Sequence, residues 1–352
     1  MYSESDLDAA VAAGAISPEA AMALRNHVAA QRATPLVDEE HFRLISGFND
    51  IFVAIASVLL LVAVGWMGGE IAPWLGSAAV AAAAWGLAEY FTRARRMALP
   101  SILLLLAFVG GVFGAAVAGL IGDTGISPDS DSVAAVLFAL SGAIAAGAAW
   151  LHWRRFHVPI TIAAGAAALI AVVFGLLLSV APQIEDYATT VMFIAGIATF
   201  AGAMAWDMSD RNRLTRRSDV AFWLHLLAAP LIVHPVFMAL GMLDNRATIG
   251  TASAVVAIYV GLAMVALTID RRALMVSALA YVLFALSVLF REIGAIGTHI
   301  ALTALVIGSA LLLLSAFWQK ARGLIVNQLP ADLQRKLPPT QQFLQTPAES
   351  RN

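Results

Sequence analysis

Cysteine is missing altogether from this chain of 352 residues, so disulfides, thiolate nucleophiles and Cys-ligated metals are excluded. Charge is nearly as scarce, with Asp, Glu, Lys and Arg making up 12% of the residues, against about 25% in a typical soluble domain. The arginines come in short runs without the basic stripe and interleaved aromatics of a nucleic-acid groove, so no nucleic-acid partner is expected. The start, Met1-Tyr2-Ser3-Glu4-Ser5-Asp6, has no basic region followed by an apolar core. A cleavable signal peptide is therefore not expected, and the first apolar segment directs insertion. HExxH, GxSxG, GxxxxGK[ST] and His/carboxylate clusters at ligand spacing are also missing, so neither an enzyme nor a cofactor is expected.

What the chain has instead is apolar length: 61% of it is hydrophobic. Ten stretches of about twenty residues, each long enough to cross a core about 30 Å thick as a helix, run over 51–69, 73–91, 99–121, 133–151, 159–180, 189–206, 220–242, 251–269, 273–290 and 300–318. Nineteen of the 21 Lys and Arg residues fall before the first stretch, after the last, or in every second gap; only Arg246 and Arg291 lie on the other side. Cationic loop residues are retained in the cytoplasm. The expectation is an all-α, polytopic membrane helical bundle in a bacterial inner membrane, with the lipid bilayer as its first partner and both termini cytoplasmic. The opposite loops are short and carry Asp123, Asp129, Asp131, Glu185 and Asp186, leaving no room for a folded outer domain.

Three regions follow. Residues 1–47 read as a cytoplasmic helical hairpin with an interfacial lead-in, 48–318 as the bundle, and 319–352 as a basic amphipathic tail lying along the anionic inner leaflet. In the hairpin, Gly14 suits a left-handed stop, and Ser17-Pro18-Glu19 supplies an N-cap, a proline at N1 and a first-turn acid. Its second helix offers a thin stripe of Ala21, Leu24, His27 and Val28. Helices this short are marginal alone, so the hairpin is expected to dock on the bundle, a second copy or a protein partner. Arginine pairs recur at 95–96, 154–155, 216–217 and 271–272, and two of them share the pattern Arg-Arg-x-x-apolar-Pro, ending at Pro100 and Pro159. Either a helical hairpin has been duplicated in parallel orientation, or every inner turn independently favours arginine.

Intramembrane charge is the usual pointer to function in such bundles. Here it reduces to Glu89, Asp207 and Asp270 near inner helix ends, each close to an arginine; Glu89 with Arg93 and Asp207 with Arg211 stand at i,i+4. These read as interfacial ion pairs, with a transport role as the other possibility. The seventh stretch carries His225, Pro230, His234 and Pro235. Each proline frees a carbonyl, and a broken helix tends to line a cavity where an imidazole relays a proton or binds a polar ligand. The alternative is a kinked packing helix whose imidazoles bond to a hydroxyl such as Tyr259 or Tyr281. The two histidines are nine apart, on opposite faces, which rules out a shared metal. Gly110 and Gly114 form a GxxxG for close packing. Asp129-Ser130-Asp131 is a DxD of the kind that holds metal-diphosphate donors, in a loop too short for a membrane glycosyltransferase.

The layout resembles an uncharacterised family of bacterial predicted multi-pass membrane proteins, with an N-terminal helical hairpin and a domain of unknown function. Ala13-Gly14-Ala15-Ile16-Ser17-Pro18-Glu19, Phe48-Asn49-Asp50-Ile51-Phe52, the run Ser218 to His225, and Leu329-Pro330-Ala331 through Pro338-Pro339 carry the resemblance. It implies inner-membrane residence and no known reaction. Two functions are in play: a non-enzymatic membrane protein whose residues 1–47 bind a partner or a second copy, and a secondary transporter of a small, weakly polar or amphipathic solute. Ten helices with both ends inside also look like the drug/metabolite transporter superfamily, which needs inverted halves that parallel hairpin spacing does not supply.

Overall fold

The computed structural model describes residues 4–31, 48–122, 131–211, 213, 215–241, 248–292 and 298–339. Two compact units emerge, Met1–Phe42 and Arg43–Asn352. In the first, α1 (Glu4–Ala12) and α2 (Pro18–Gln31) form the expected hairpin. Gly14 adopts a φ of +70°, and the amides of Gly14 and Ala15 donate to the carbonyls of Val11 and Ala10. That pair of bonds is the Schellman stop for which glycine is favoured. Ser17 Oγ accepts from the Ala20 amide at 3.1 Å and caps α2. Ala21 is buried, whereas Met22 and Leu24 are 60% and 43% exposed, so the hairpin leaves apolar surface uncovered.

The second unit is all helix among the described residues. It comprises α3 (Phe48–Gly69), α4 (Pro73–Ala88), α5 (Ala98–Leu120), α6 (Asp131–Phe156), α7 (Ile160–Val180), α8 (Ala188–Ser209), α9 (Arg216–Ala239), α10 (Ile249–Ile269), α11 (Ala273–Glu292), α12 (His299–Ala316), α13 (Trp318–Val326) and α14 (Ala331–Gln334). Nine of the described helices are long and apolar enough to cross a membrane. The remaining expected crossing, α4, has 16 residues and runs on as a π-helix over Glu89–Ala94.

Neighbours in sequence pack as antiparallel hairpins, α4 with α5, α6 with α7, α8 with α9 and α10 with α11, each joined by an arginine-bearing turn. Close approach is built on small residues. A Cβ on Gly111 would meet Ser77 O at 2.8 Å, one on Gly175 would meet Ala139 N at 2.8 Å, and one on Gly196 would meet the Leu231 side chain and backbone at 2.9 Å. The GxxxG reading needs correction. Gly110 faces open space, and it is Gly111 and Gly114 that lie against Ser77 and Ala81 of α4, because helical phase puts 111 on the α4 side. The centre of the row is α9, which packs on α7, α8 and α11 and has 56% of its apolar window buried, against 11% for α12.

The four arginine-bearing turns share a backbone feature. Arg96, His157, Arg213 and Asp270 adopt φ of 52°, 54°, 54° and 59°, the left-handed region that non-glycine residues rarely occupy. After α12, α13 and the segment to Pro339 fold against the bundle. Val326 and Leu337 are buried with Ala229, Ile269 and Leu274. Leu324 and Leu333 are left exposed.

Candidate functional site

Six of the buried polar side chains, Asp207, Asp210, Ser218, His225, Asp270 and Arg271, gather toward the arginine-bearing ends of α8 to α11. Asp207, in the last turn of α8, is 5% exposed. Its Oδ1 accepts from Arg271 Nη2 at 2.6 Å, and Oδ2 accepts from Arg271 Nε at 3.2 Å and from His225 Nε2 at 2.9 Å. The guanidinium also donates from Nη2 to Ser218 O and Oγ, both at 3.0 Å. A carboxylate only accepts, so His225 carries its proton on Nε2. Its Nδ1 is buried among protein atoms without a hydrogen-bond partner, and Phe200 stands edge-on to the ring at 5.2 Å. Asp207 pairs with Arg271, 64 positions on, and not with Arg211 at i+4 as expected. Arg211 reaches the other way and donates to Leu337 O at 3.1 Å.

A second knot adjoins the first through the turn between α10 and α11. Asp270 caps α10 in the left-handed conformation. Its Oδ1 accepts from Trp318 Nε1 at 2.7 Å, and its Oδ2 accepts from Arg213 Nη1 at 3.0 Å. Arg213 Nη2 donates to the Asp270 carbonyl at 2.9 Å, which is why a turn arginine is held facing inward. Arg322 of α13, 1% exposed, lies 3.8 Å from Asp270 and donates to the carbonyls of Pro338 at 2.6 Å and Pro339 at 3.2 Å. Arg272 stacks over Trp318 at 4.6 Å. Desolvated, multiply bonded charges of this kind fix geometry, since removing one partner strands the other.

Glu89, in contrast, is half-exposed. It pairs with Arg93 at 3.3 Å as the spacing predicts, and also accepts a fork from Arg155 of α6 at 2.7 and 2.9 Å. His234 bonds through Nδ1 to the Tyr281 hydroxyl, one of the two hydroxyls named from the sequence, and Tyr281 stacks on Phe237 at 4.5 Å. Helix α9 runs unbroken through Pro230 and Pro235, the first exposed and the second buried, so the expected helix break is not formed. Three cavities on the bundle are lined by other residues: one beside Tyr259 and Trp318, one beside Trp150 and Thr161, and one beside Asp50 and Arg95. Asp129 and Ser130 lie outside the described residues.

Sequence reasoning passed over His152. It is fully buried, bonds Thr161 Oγ1 through Nδ1 at 3.2 Å, and is boxed by Trp85, Phe108 and Phe156. Its place in His-Trp-Arg-Arg at a helix end gave only an interfacial signal. The burial of Arg271 and Arg322 was equally hidden behind their use as topology markers. No family model, no curated protein and no solved structure matches this chain.

Proposed function

We propose that this chain is a non-enzymatic integral protein of a bacterial inner membrane that crosses ten times. Both termini lie in the cytoplasm, and the N-terminal hairpin is presented to a protein partner or to a second copy. The observation that carries the reading is the hairpin itself, a compact unit whose Met22 and Leu24 are exposed. Surface of that kind, on helices too short to be stable alone, calls for a docking partner. Two features support the rest. Helix α4 and its π-helical continuation span Pro73–Ala94, long enough for a tenth crossing, and the ion pairs that join the first arginine-bearing turn to the second, and the third to the fourth, support a common side for each pair. The buried charges of the bundle are engaged with one another as ties between hairpins. Removing residues 1–35 is expected to abolish self-association, or to release a co-purifying protein, while the bundle stays folded. Identical cross-linking and co-purification profiles with and without those residues would overturn the reading.

Transport of a small, weakly polar or amphipathic solute is the second reading, favoured by one observation: Asp207, His225 and Arg271 are charged or titratable groups buried at the ends of spanning helices, where such groups are costly. On that reading, Asp207→Asn and His234→Ala each stop uptake of amphipathic dyes into vesicles. Flux unchanged in both variants excludes it.

A further inference from the structure

Two arginines stand side by side in the last turn of α6, and they are used differently. Arg155 spends its fork on Glu89. Arg154 has no hydrogen-bond or ion-pair partner among the described residues; its guanidinium lies over the Trp150 ring, 5.1 Å from the centroid. A cation–π contact uses the charge and no N–H donor, so none of its five donors is taken up by the protein. Trp150 also lines a groove between α6 and α7. The walls there are small, Ala146 and Ala149 on α6 and Gly165 and Ala166 on α7, and a Cβ built on Gly165 would meet Ala149 at 3.6 Å, an ordinary contact. Such short side chains leave a cavity of about 300 Å³ beside two closely packed helices, at the lower end of the roughly 300–1,000 Å³ range of small-molecule sites. On α7 it runs from Thr161 to Leu169, a length of about 12 Å at 1.5 Å per residue. Trp150 and Leu169 are 60% and 57% exposed, so the groove is open along one side.

The lining restricts the occupant. Its one hydroxyl, on the buried Thr161, is already bonded to Nδ1 of the fully buried His152 at 3.2 Å, and no lining residue carries a charge. A polar solute would give up water along these walls without gaining a partner, whereas a hydrocarbon chain loses nothing there. The end beside Trp150 and Trp153 differs. Indoles suit the boundary between hydrocarbon and water, and Arg154 on the Trp150 ring adds a positive charge to that boundary. Charge at one end and an apolar trough below it match an anionic amphiphile, and a guanidinium fork fits the paired oxygens of a phosphate. An ammonium group would find no counter-charge, because the acid of the neighbouring turn, Glu89, is held by Arg93 and Arg155. We propose that the α6–α7 groove holds an anionic phospholipid, its phosphate on Arg154, its headgroup beside Trp150 and Trp153, and one acyl chain laid along Ala146, Gly165 and Ala166 toward Leu169. This requires only that the bundle lies in a bilayer and is independent of what the N-terminal hairpin binds.

The test uses the full chain in phosphatidylcholine vesicles, photolabelled by a trace of phosphatidylglycerol or of phosphatidylcholine that carries a diazirine in one acyl chain, with the labelled peptides mapped by mass spectrometry. The stretches 146–153 and 161–169 are expected to take about tenfold more label from phosphatidylglycerol, the factor that one charge-assisted contact supplies. The exposed face of α12 around Leu305 and Leu312 serves as the reference and should label equally from both. Arg154→Gln should bring groove labelling by the two lipids level, and Arg154→Lys, which keeps the charge and loses the fork, should restore part of the preference. Ala166→Phe fills the trough and should remove labelling there by both lipids while leaving α12 unchanged. Equal labelling of the groove by the two lipids in the wild type overturns the proposal, and this comparison decides it even if a variant does not fold. A preference that survives Arg154→Gln overturns it as well. Disulfide-linked dimers of Leu169→Cys would put a second copy in the groove, and loss of the preference in excess glycerol 3-phosphate would mean a site for a soluble phosphate; either result excludes the lipid.

Discussion

Asp207 holds two hydrogen-bonded partners in a place that water does not reach, and this sets what its loss would do. Replacing it by Ala leaves Arg271 and His225 buried without their acceptor, and breaking a buried pair from one side costs about 3–5 kcal/mol. Unfolding titrated with dodecyl sulfate in mixed micelles should register a loss of that order for Asp207→Ala, and a smaller one for the double variant with Arg271→Met, which removes the stranded charge as well. Glu89→Ala is the contrast. The side chains of Glu89 and Arg155 are 32% and 39% exposed, and pairs as open as this contribute about 0–1 kcal/mol. Comparable losses at the two sites would refute the assignment of Asp207 as a structural tie. All three acids near inner helix ends were visible in the sequence, and so was the local Glu89–Arg93 pair. The partner of Asp207 was not, because i,i+4 proximity competes with a guanidinium fork delivered by tertiary packing from 64 residues away, and periodicity carries no information about that distance.

Each hairpin depends on what faces its glycines. On α5, Gly110 has nothing within 4 Å of a built Cβ, so Gly110→Ala gains helix propensity, up to about 1 kcal/mol, at no steric cost. On α7, Gly175 faces backbone of α6 at 2.8 and 2.9 Å, and Gly175→Ala must push the two helices apart, a strain of about 1–3 kcal/mol. The two substitutions should move the unfolding midpoint in opposite directions, and shifts of the same sign would show that the α6–α7 contact is not as close as described. The N-terminal hairpin is sensitive to acid instead. The Glu19 carboxyl is held below its ordinary pKa by its own backbone amide at the start of α2, and further by the Ser17 side chain. A lowered folded-state pKa stabilises above the unfolded value and is lost as pH falls through the folded one. In the full-length protein, the backbone chemical shifts of α2 should therefore move toward coil values on acidification through the carboxylate range, and Glu19→Gln should flatten that change. Caps and stops of this hairpin were legible because they are local: Gly14 and Ser17 act on amides within five residues. The π-helical end of α4 and the unbroken course of α9 were not, since helix type and proline accommodation are decided by neighbours that the local sequence does not name.

At the scale of the molecule, one arrangement occurs twice. An acid near the arginine-bearing end of the first helix of a hairpin is bonded to an arginine at the same end of the following hairpin, Glu89 to Arg155 and Asp207 to Arg271, at separations of 66 and 64. Each of the four arginine-bearing turns also contains one non-glycine residue with positive φ. The positive-φ residues stand at different offsets from the arginine pairs, Arg96 within its pair, His157 after it and Arg213 and Asp270 before theirs, so the turns share a conformation without sharing a register. The same arginines clip neighbouring hairpins together. A parallel repeat would require every arginine-bearing turn to face one compartment, and α4 to cross although its regular part has only 16 residues. The chain lacks cysteine, and single cysteines therefore report position directly. In intact cells, cysteines at Ile71 and Gln183 should react with a membrane-impermeant maleimide, and those at Arg96 and Arg216 should react only after permeabilisation. Labelling of Ile71 and Arg96 from the same side would mean that α4 re-enters without crossing. The hairpins after it would then have the opposite orientation from α3, and the parallel repeat would fail with them.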